Sequence, residues 1–470
     1  MDGWARITTE DLTELKLIVG EDHLRSDEES RHEYGHDETE DLVHPPDVVV
    51  FPASVDEVSS ILKFANERSI PVTAIGARTG LSGGALSTHG GIALSMKRFD
   101  SIIQIDERNF QATVEPGVIN QVFHHACKAE GLFYPPDPSS WGSCTLGGNL
   151  AYNAGGPKAV KYGVTNQYVL NLEVVLASGE VIWTGANVLK NSTGYNLTQL
   201  MVGSEGTLGI ITKVVFKLLP YPKEDLTLLV PFSSAENACA AVSAIFHEGV
   251  TPAGMEFMER DAIDWTLKYV DDVQVPTGED IEAHLLIELD GNDADVLFKD
   301  AEVIATVVEK FGAGEVLIAD NQAQRDALWK LRRRVGEAVK SHSIYKEEDT
   351  VVPRAELPVL LKGVKDIGAK YGFKSVCYGH AGDGNLHVNI VKGEMTDEAW
   401  NTELPKGIRE IFELVKGLGG TISGEHGIGY VQKDYLDIVF NDANLAAQKA
   451  IKKALDPKGI LNPGKIFPGS

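Results

Sequence analysis

The chain has 470 residues, 43% of them hydrophobic and 7% aromatic, which is more than one ordinary core accommodates and excludes wholesale disorder. Its 43 Lys and Arg against 68 Asp and Glu leave a net charge of −25, which repels nucleic-acid phosphates and anionic membrane surfaces alike. No run approaches the roughly 18 consecutive apolar residues of a membrane span, and the N-terminus has no basic stretch leading into an apolar one, so a cytoplasmic protein without a transmembrane segment is expected.

Residues 1–45 are polar and acidic, and "DEESRHEYGHDETED" reads as a solvated segment. The stretch "VVVFPASVDEVSSILKFANERSIPVTAIG" predicts a β-α-β unit: Ser54 with Glu57 forms a capping box, and Val58, Ile61, Leu62 and Ala65 follow helical spacing. Its second strand runs into "GARTGLSGGA", residues 76–85, which is neither the GxGxxG dinucleotide loop nor the Walker loop. His124 and His125, in "INQVFHHACKAEG", read as ordinary helix residues. Two further glycine-rich stretches follow, "DPSSWGSCTLGGNLAYNAGG" at 137–156 and "GSEGTLGI" at 203–210, with "LNLEVVLASGEVI" between them predicting two strands about a Ser178-Gly179 turn. Pro220 and Pro222 mark a domain boundary.

Residues 225–405 alternate strand-like runs ("LTLLVPF", "AHLLIEL", "GEVLIA") with helix-like ones, an order that predicts an antiparallel sheet with helices on one face. The tail from about 406 is helical around "GIREIFELVKGLGG" and "NLAAQKAIKKALDP". Cys127, Cys144, Cys239 and Cys377 are scattered, with no CxxC pair for a cluster or a zinc knuckle, and are expected to be free thiols.

Three features carry chemistry. The glycine loops present bare backbone N–H groups that can surround a pyrophosphate where a Cβ would block approach. "GHAGDGNLHVNI", residues 379–390, predicts a β-hairpin turning at Asp383-Gly384, with Val376, Tyr378 and His380 on one face of the incoming strand and Leu386, Val388 and Ile390 alternating with His387 and Asn389 on the outgoing one. Two histidines alone are more often structural than ligating. "LWKLRRRVGEAV", residues 328–339, is a basic helix in an acidic protein, and Arg333 and Arg334 read as its solvated face.

"PVTAIGARTGLSGGA", "PPDPSSWGSCTLGGNLAYNAGG" and "MVGSEGTLGIIT", in this order, resemble the FAD-binding domain of the vanillyl-alcohol-oxidase and para-cresol-methylhydroxylase flavoproteins. Within that family the chain resembles the D-2-hydroxyacid dehydrogenase branch, which contains D-lactate dehydrogenases, the glycolate oxidase FAD subunit and D-2-hydroxyglutarate dehydrogenases. The resemblance implies an α+β fold: an FAD-binding domain over 1–220, an antiparallel-sheet substrate domain over 221–405, and a helical segment over 406–470 that packs on the FAD domain and completes the active site. It implies that Gly76, Ala77, Arg78, Thr79, Gly80, Leu81, Ser82, Gly83 and Gly84 wrap the FAD pyrophosphate. Pro136, Asp137, Ser140, Gly147, Gly148, Asn149, Ala151 and Asn153 would line adenine, ribose and flavin, and Glu205, Gly206 and Ile210 would form the third cofactor loop. Some members tether the flavin through a histidine in the first loop; Gly76-Ala77-Arg78-Thr79-Gly80 has none, so the FAD is expected to be non-covalent.

The same resemblance pairs the hairpin with "SGEHGIG", residues 423–429. His380, His387 and Glu425 become ligands of a divalent metal, Zn or Mn, with open positions for substrate oxygens. His426 becomes the base that removes the substrate hydroxyl proton, Arg332 the partner of the substrate carboxylate, and Asn389 a substrate contact. The implied reaction is oxidation of a D-2-hydroxy acid to the 2-keto acid, with the Cα hydride passing to flavin N5 and the electrons leaving to a quinone, an electron-transfer flavoprotein or a similar acceptor. D-Lactate is favoured, because relatives of hydroxyglutarate type carry a threonine where this chain has Gly336, and Lys346 stands one residue out of register. Glycolate also fits, and a homodimer is compatible. A metal-dependent hydrolase on the same His-His-Glu set is the rival of a different class; it leaves the glycine loops without a use.

Overall fold

The computed structural model describes residues 3–271 and 273–469. The chain divides into two compact units, one of Met1–Ala154, Val164–Tyr221 and Glu425–Ser470, the other of Gly155–Gly163 and Pro222–Gly424. The second boundary falls at Gly424, not near 405, because the helix Leu404–Gly417 buries Leu404, Ile408, Ile411, Phe412 and Val415 and packs on the helix Leu357–Tyr371 of the second unit. The segment 406–470 is thus shared between the units.

In the first unit the strands Val48–Val50, Ile92–Ser95 and Val72–Ile75 run parallel in that order, with Leu24–Arg25 antiparallel at one edge. The helix Val55–Arg68 makes the crossover, and Val58, Ile61, Leu62 and Ala65 are all fully buried on the sheet, each Ile or Leu worth about 1.5–3 kcal/mol of burial. The Ser54 hydroxyl accepts from Glu57 N–H as expected; the Glu57 carboxylate reaches back to Ala53 N–H at 2.8 Å, one residue short of a reciprocal box.

The stretch read as solvated, residues 27–41, is mostly exposed or half-buried, with Tyr34, Gly35 and Asp37 buried, and ahead of it stands a helix that was not foreseen. Thr9–Val19 is a helix with a complete Thr8/Asp11 capping box, and Leu15 and Val19 enter the core of the parallel sheet. A second sheet, antiparallel, orders Ile102–Asp106, Gln111–Val114, Ile210–Lys217, Val169–Val175 and Val181–Trp183, and its last hairpin turns at Gly179 as expected.

The second unit is built on seven antiparallel strands in the order Leu317–Ile318, Glu224–Phe232, Ala283–Gly291, Gly254–Glu259, Lys374–Gly379, Asn385–Val391, Tyr345–Val351. Both faces are covered, which corrects the expectation of helices on one face. Val376, Tyr378, Met258 and Leu286 pack with Ile263, Leu331, Val335 and Val339 of the helices on one side. On the other side lie the helices Ala235–His247, Ala294–Glu309 and Leu357–Tyr371. The whole of Asn385–Val391 is buried in consequence. All four cysteines are free and buried.

Candidate functional site

In the first unit the three glycine loops converge through hydrogen bonds. Glu205 N–H donates to Ala151 O at 2.9 Å and Gly203 N–H to Leu150 O at 2.8 Å, joining the second and third loops. The Asn462 carboxamide donates to Gly84 O at 3.0 Å and Glu205 O at 2.8 Å, joining the first and third. Asn120 ties the second loop to itself, donating to Pro136 O and accepting from Asn149 at 3.2 Å. Asp137 is buried, and Ser140 O accepts the N–H groups of Ser143 and Cys144. Thr145 caps the helix Leu146–Tyr152 by accepting from Gly148 N–H, Gly147 N–H donates to Pro116 O, and Asn153 ends the helix in the left-handed region at φ +54°. Ile210 opens its strand inside the core, and Gly206 stands in the left-handed region at φ +68° in the turn before it.

Along the first loop, among the described residues, no backbone acceptor takes the N–H groups of residues 78–83, while the Gly84 N–H faces the Tyr152 hydroxyl. A row of open donors on a glycine-rich loop is a cradle for an anion, and the pyrophosphate of FAD fits it. The Arg78 side chain is turned away from the cradle. It lies over the Tyr34 ring at 4.4 Å and pairs with Glu33, so this residue offers the loop its backbone only. Ala77, Thr79, Gly80, Leu81, Ser82 and Gly83 complete the same loop, and Ser82 O accepts Tyr430 N–H at 2.7 Å.

Glu205 is the carboxylate of this unit with the clearest role. It sits in the left-handed region at φ +52° and accepts Ile428 N–H at 2.8 Å and Gly429 N–H at 2.7 Å, fixing the chain just beyond His426. Burial pushes its carboxyl up to about 7, against the opposing pull of those two N–H groups and Lys465. Burial likewise brings the Lys465 ammonium down to about 7.

The second unit presents charged side chains on one buried sheet face. The hairpin Lys374–Gly379 and Asn385–Val391 turns through Ala381–Asp383 to Gly384 at φ +86°, where a Cβ would stand 1.9 Å from Val352 O, so only glycine fits. The register sets Tyr378 opposite His387 and Val376 opposite Asn389, which puts His387 and Asn389 on the Tyr378 face, and the His380 and His387 rings lie 5.3 Å apart. On the next strand Asp349 stands opposite His387 and Glu347 opposite Asn389, with His387 Nδ1 3.3 Å from Glu347 and 3.6 Å from Asp349. On the other flank His380 Nδ1 lies 2.9 Å from both oxygens of Glu256, whose Oε2 lies 2.7 Å from Arg332 Nη2. Arg332 also stacks on Tyr378, its guanidinium carbon 5.0 Å from the ring centre. Its Nε and Nη2 make no hydrogen bond of good geometry although the side chain is buried, and the buried Asn389 carboxamide has the Tyr378 hydroxyl as its polar neighbour.

Burial works against the Glu256 carboxylate, but the charges of His380 and Arg332 and the His380 hydrogen bond outweigh it and hold the carboxyl below its usual range. Three carboxylates on this face, Glu256, Glu347 and Asp349, stand against the single guanidinium of Arg332. An excess of buried negative charge beside two imidazoles is a fitting environment for a divalent cation. Asp349 also accepts Ser423 Oγ–H at 3.2 Å and Gly424 N–H at 2.8 Å, so the residue that directly precedes Glu425 is pinned to the partner of His387. Glu425 and His426 begin the last segment of the first unit, with His426 Nε2 3.9 Å from Glu425 Oε1.

Sequence reasoning named Arg332, His380, His387 and Asn389, and the second unit gathers them on one face. It missed Glu256, Glu347 and Asp349. The strand Gly254–Glu259 was not foreseen at all, although an acid set among Met255, Phe257 and Met258 is the pattern of a buried charge that needs partners.

A glycine-loop cradle for an anion and a two-sided sheet unit with a buried charged face fit a flavin-linked oxidoreductase. The comparisons agree. Residues 46–185 match the family described as FAD binding domain, and residues 221–466 match FAD linked oxidases, C-terminal domain. The chain is 39% identical over 467 residues to the glycolate oxidase subunit GlcD of Bacillus subtilis, covering 98% of this chain and 97% of that one. It is 37% identical to a D-lactate dehydrogenase of Anaerostipes hadrus, with 98% of each chain covered. Similarity to a D-2-hydroxyglutarate dehydrogenase of Stutzerimonas stutzeri is 32% over 97% of this chain and 98% of that one. Among solved structures, p-cresol methylhydroxylase with substrate bound superposes with a TM-score of 0.78 at 18% identity, over 98% of this chain and 97% of that one, which speaks for the fold. The chain belongs to the FAD-linked oxidase family, in the branch that holds D-lactate dehydrogenases, the glycolate oxidase subunit GlcD and D-2-hydroxyglutarate dehydrogenases. The hydrolase alternative, which had no use for the glycine loops, falls with this membership. Among the described residues no helix is long and apolar enough to cross a membrane.

Proposed function

We propose that this chain oxidises a short D-2-hydroxy acid, D-lactate first, to its 2-keto acid, using non-covalent FAD and a divalent metal, Zn or Mn, held by His380, His387 and Glu425. When bound, FAD supplies a two-electron acceptor and the cation supplies positive charge beside the substrate hydroxyl. Arg332 pairs with the substrate carboxylate, for which its open Nε and fork geometry are suited. Asn389 offers a carboxamide donor and acceptor on the same face. His426, as a neutral imidazole, takes the hydroxyl proton. Backbone donors of the first loop hold the pyrophosphate, leaving the charged face to the substrate.

The observation that carries this reading is the buried guanidinium of Arg332, which has an unused Nε and stands on the face that holds two imidazoles. A monoacid is favoured over a diacid by register. Lys346 pairs with Ile390, on the face opposite Asn389, and its ammonium lies 6.0 Å from the Trp400 ring centre, so it does not offer a second carboxylate a partner there. At Gly336 an added Cβ would stand 3.2 Å from the Tyr378 hydroxyl, where a threonine would intrude. An electron acceptor such as a quinone or an electron-transfer flavoprotein completes the cycle. The test is a panel of single hydroxy acids mixed anaerobically with the FAD-loaded protein. D-Lactate or glycolate should reduce the flavin faster than D-2-hydroxyglutarate, and a reversed order would remove the monoacid assignment.

A further inference from the structure

Glu256 belongs to no motif, yet its side chain has no exposure and it touches two of the groups assigned above. Extending the pairing of Phe257 with Gly379 by one residue sets Glu256 opposite His380. A carboxylate only accepts, so the 2.9 Å contact calls for a proton on Nδ1 of His380, and whenever the ring gives up its second proton the lone pair lies on Nε2. The other contact is an ion pair, 2.7 Å from Oε2 to Arg332 Nη2, which holds that end of the guanidinium by charge, since Nη2 makes no hydrogen bond of good geometry. His380 and Arg332 have side chains only 3% exposed, so water cannot replace either contact.

We propose that Glu256 is the positioning residue shared by the metal and substrate sites: by bridging His380 and Arg332 it sets the tautomer and aim of the metal-ligating imidazole and orients the arginine that receives the substrate carboxylate. The inference rests on the reading of His380 as a ligand and of Arg332 as the carboxylate partner. It gives the second unit a link that the sequence conceals, because 124 residues separate Glu256 from His380. Outer partners of ligating histidines are worth about 10- to 100-fold in metal affinity, and a charge-assisted contact to a buried arginine is worth roughly 10-fold or more in binding.

The test uses the full-length FAD-loaded protein and two variants, Glu256→Gln and Glu256→Asp. Glutamine keeps the shape but removes the charge; aspartate keeps the charge but shortens the reach. Calorimetric titration with Zn²⁺ and with Mn²⁺ gives the metal dissociation constant, and steady-state kinetics with the best hydroxy acid separate KM from kcat. FAD content and melting temperature report the fold. In folded, FAD-replete protein, E256Q should weaken metal binding by about 10- to 100-fold and raise KM by about 10-fold, with E256D falling between it and the wild type. If E256Q does not fold, E256D decides, since a shortened carboxylate cannot keep both contacts and one of the two constants must move. Both constants within about twofold of wild type in a folded variant would overturn the proposal, whereas loss of melting temperature alone would mark a purely structural acid. Should the wild type take up no metal, the ligand reading of His380 fails on its own, and the KM of the variants then decides whether Glu256 orients Arg332.

Discussion

The two units build their sites from different materials. The first uses backbone: glycine loops with open N–H groups, held together by Asn120, Asn462 and Glu205. The second uses buried charged side chains, brought from four strands and a helix to one sheet face. A backbone cradle suits a large anionic cofactor that every turnover reuses, because its donors come with the fold. A side-chain site suits a small substrate, where one guanidinium or imidazole in place decides what is accepted. The difference teaches where each unit breaks: the first through the shape of a loop, the second through the balance of charge.

The largest expected effect falls on His426. His426→Ala should keep FAD and metal while slowing flavin reduction by on the order of 10²- to 10⁴-fold, the range for a lost general base. A wild-type reduction rate across pH 6 to 9, the span chosen for the assay, would mean that the proton leaves by another route. Next come two of the proposed metal ligands. His387→Ala and Glu425→Ala should each retain FAD in its full amount but lose about 10-fold or more in metal affinity, measured by metal analysis after dialysis. Loss of FAD with metal retained would invert the division between the units.

The converse lesion belongs to the first unit. An added Cβ at Gly147 would stand 2.6 Å from Pro116 Cβ, and a proline ring cannot swing aside. Gly147→Val should therefore lose most of its FAD, read from the absorbance ratio of flavin to protein, while the metal dissociation constant stays within about twofold of wild type. Acid precipitation of the unmodified protein should release all of its yellow colour, since the first loop has no tethering histidine; colour left in the pellet would show a covalent flavin.

The smallest effect is a difference in acid response. His284 is buried in the second unit, and burial lowers its pKa to about 4, below the ordinary 6.5. The unfolded chain therefore binds a proton there that the folded one refuses, and this group's contribution to stability is lost as pH falls from about 6.5 toward 4, on the order of 3 kcal/mol in full. Glu205 in the first unit has the opposite sign. With its carboxyl raised to about 7, the folded state holds the proton longer, so its contribution is present below about 4.5 and is lost as pH rises through 7. Hydrogen exchange followed from pH 7 to 5 in wild type, His284→Asn and Glu205→Gln should show the two variants diverging from wild type in opposite directions, each in its own unit. Parallel shifts would contradict the assigned environments.

What could be read from the sequence follows the same line. Glycine loops are contiguous, so Gly76 to Gly84 and the other two loops announce themselves in short windows, and the hairpin of His380 and His387 is local in the same way. The first crossover was legible because Val58, Ile61, Leu62 and Ala65 keep helical period under a serine cap. Glu256 was hidden because its partners lie far along the chain and its strand is a run of Met and Phe without clean alternation. The helix Thr9–Val19 was hidden because its buried face carries an acid, Asp11, in the cap, while Leu17 stands exposed, which blurs the apolar stripe. Coverage of both sheet faces was missed because fully buried strands such as Asn385–Val391 lose the alternation that would reveal which side is covered. Asp349 and Glu347, in "KEEDTVV", belong to no recognisable motif, and only the register places them beside His387 and Asn389.

The most direct test of the account is single-turnover reduction of the bound flavin by D-lactate in FAD-replete protein, before and after removal of divalent metal and again after Zn²⁺ or Mn²⁺ is restored. The account predicts rapid bleaching in the metal-loaded protein, a large loss of rate on chelation with the flavin spectrum unchanged, and recovery on adding the cation back. Undiminished bleaching in metal-free protein, or no bleaching by any D-2-hydroxy acid in protein carrying both FAD and metal, would contradict it.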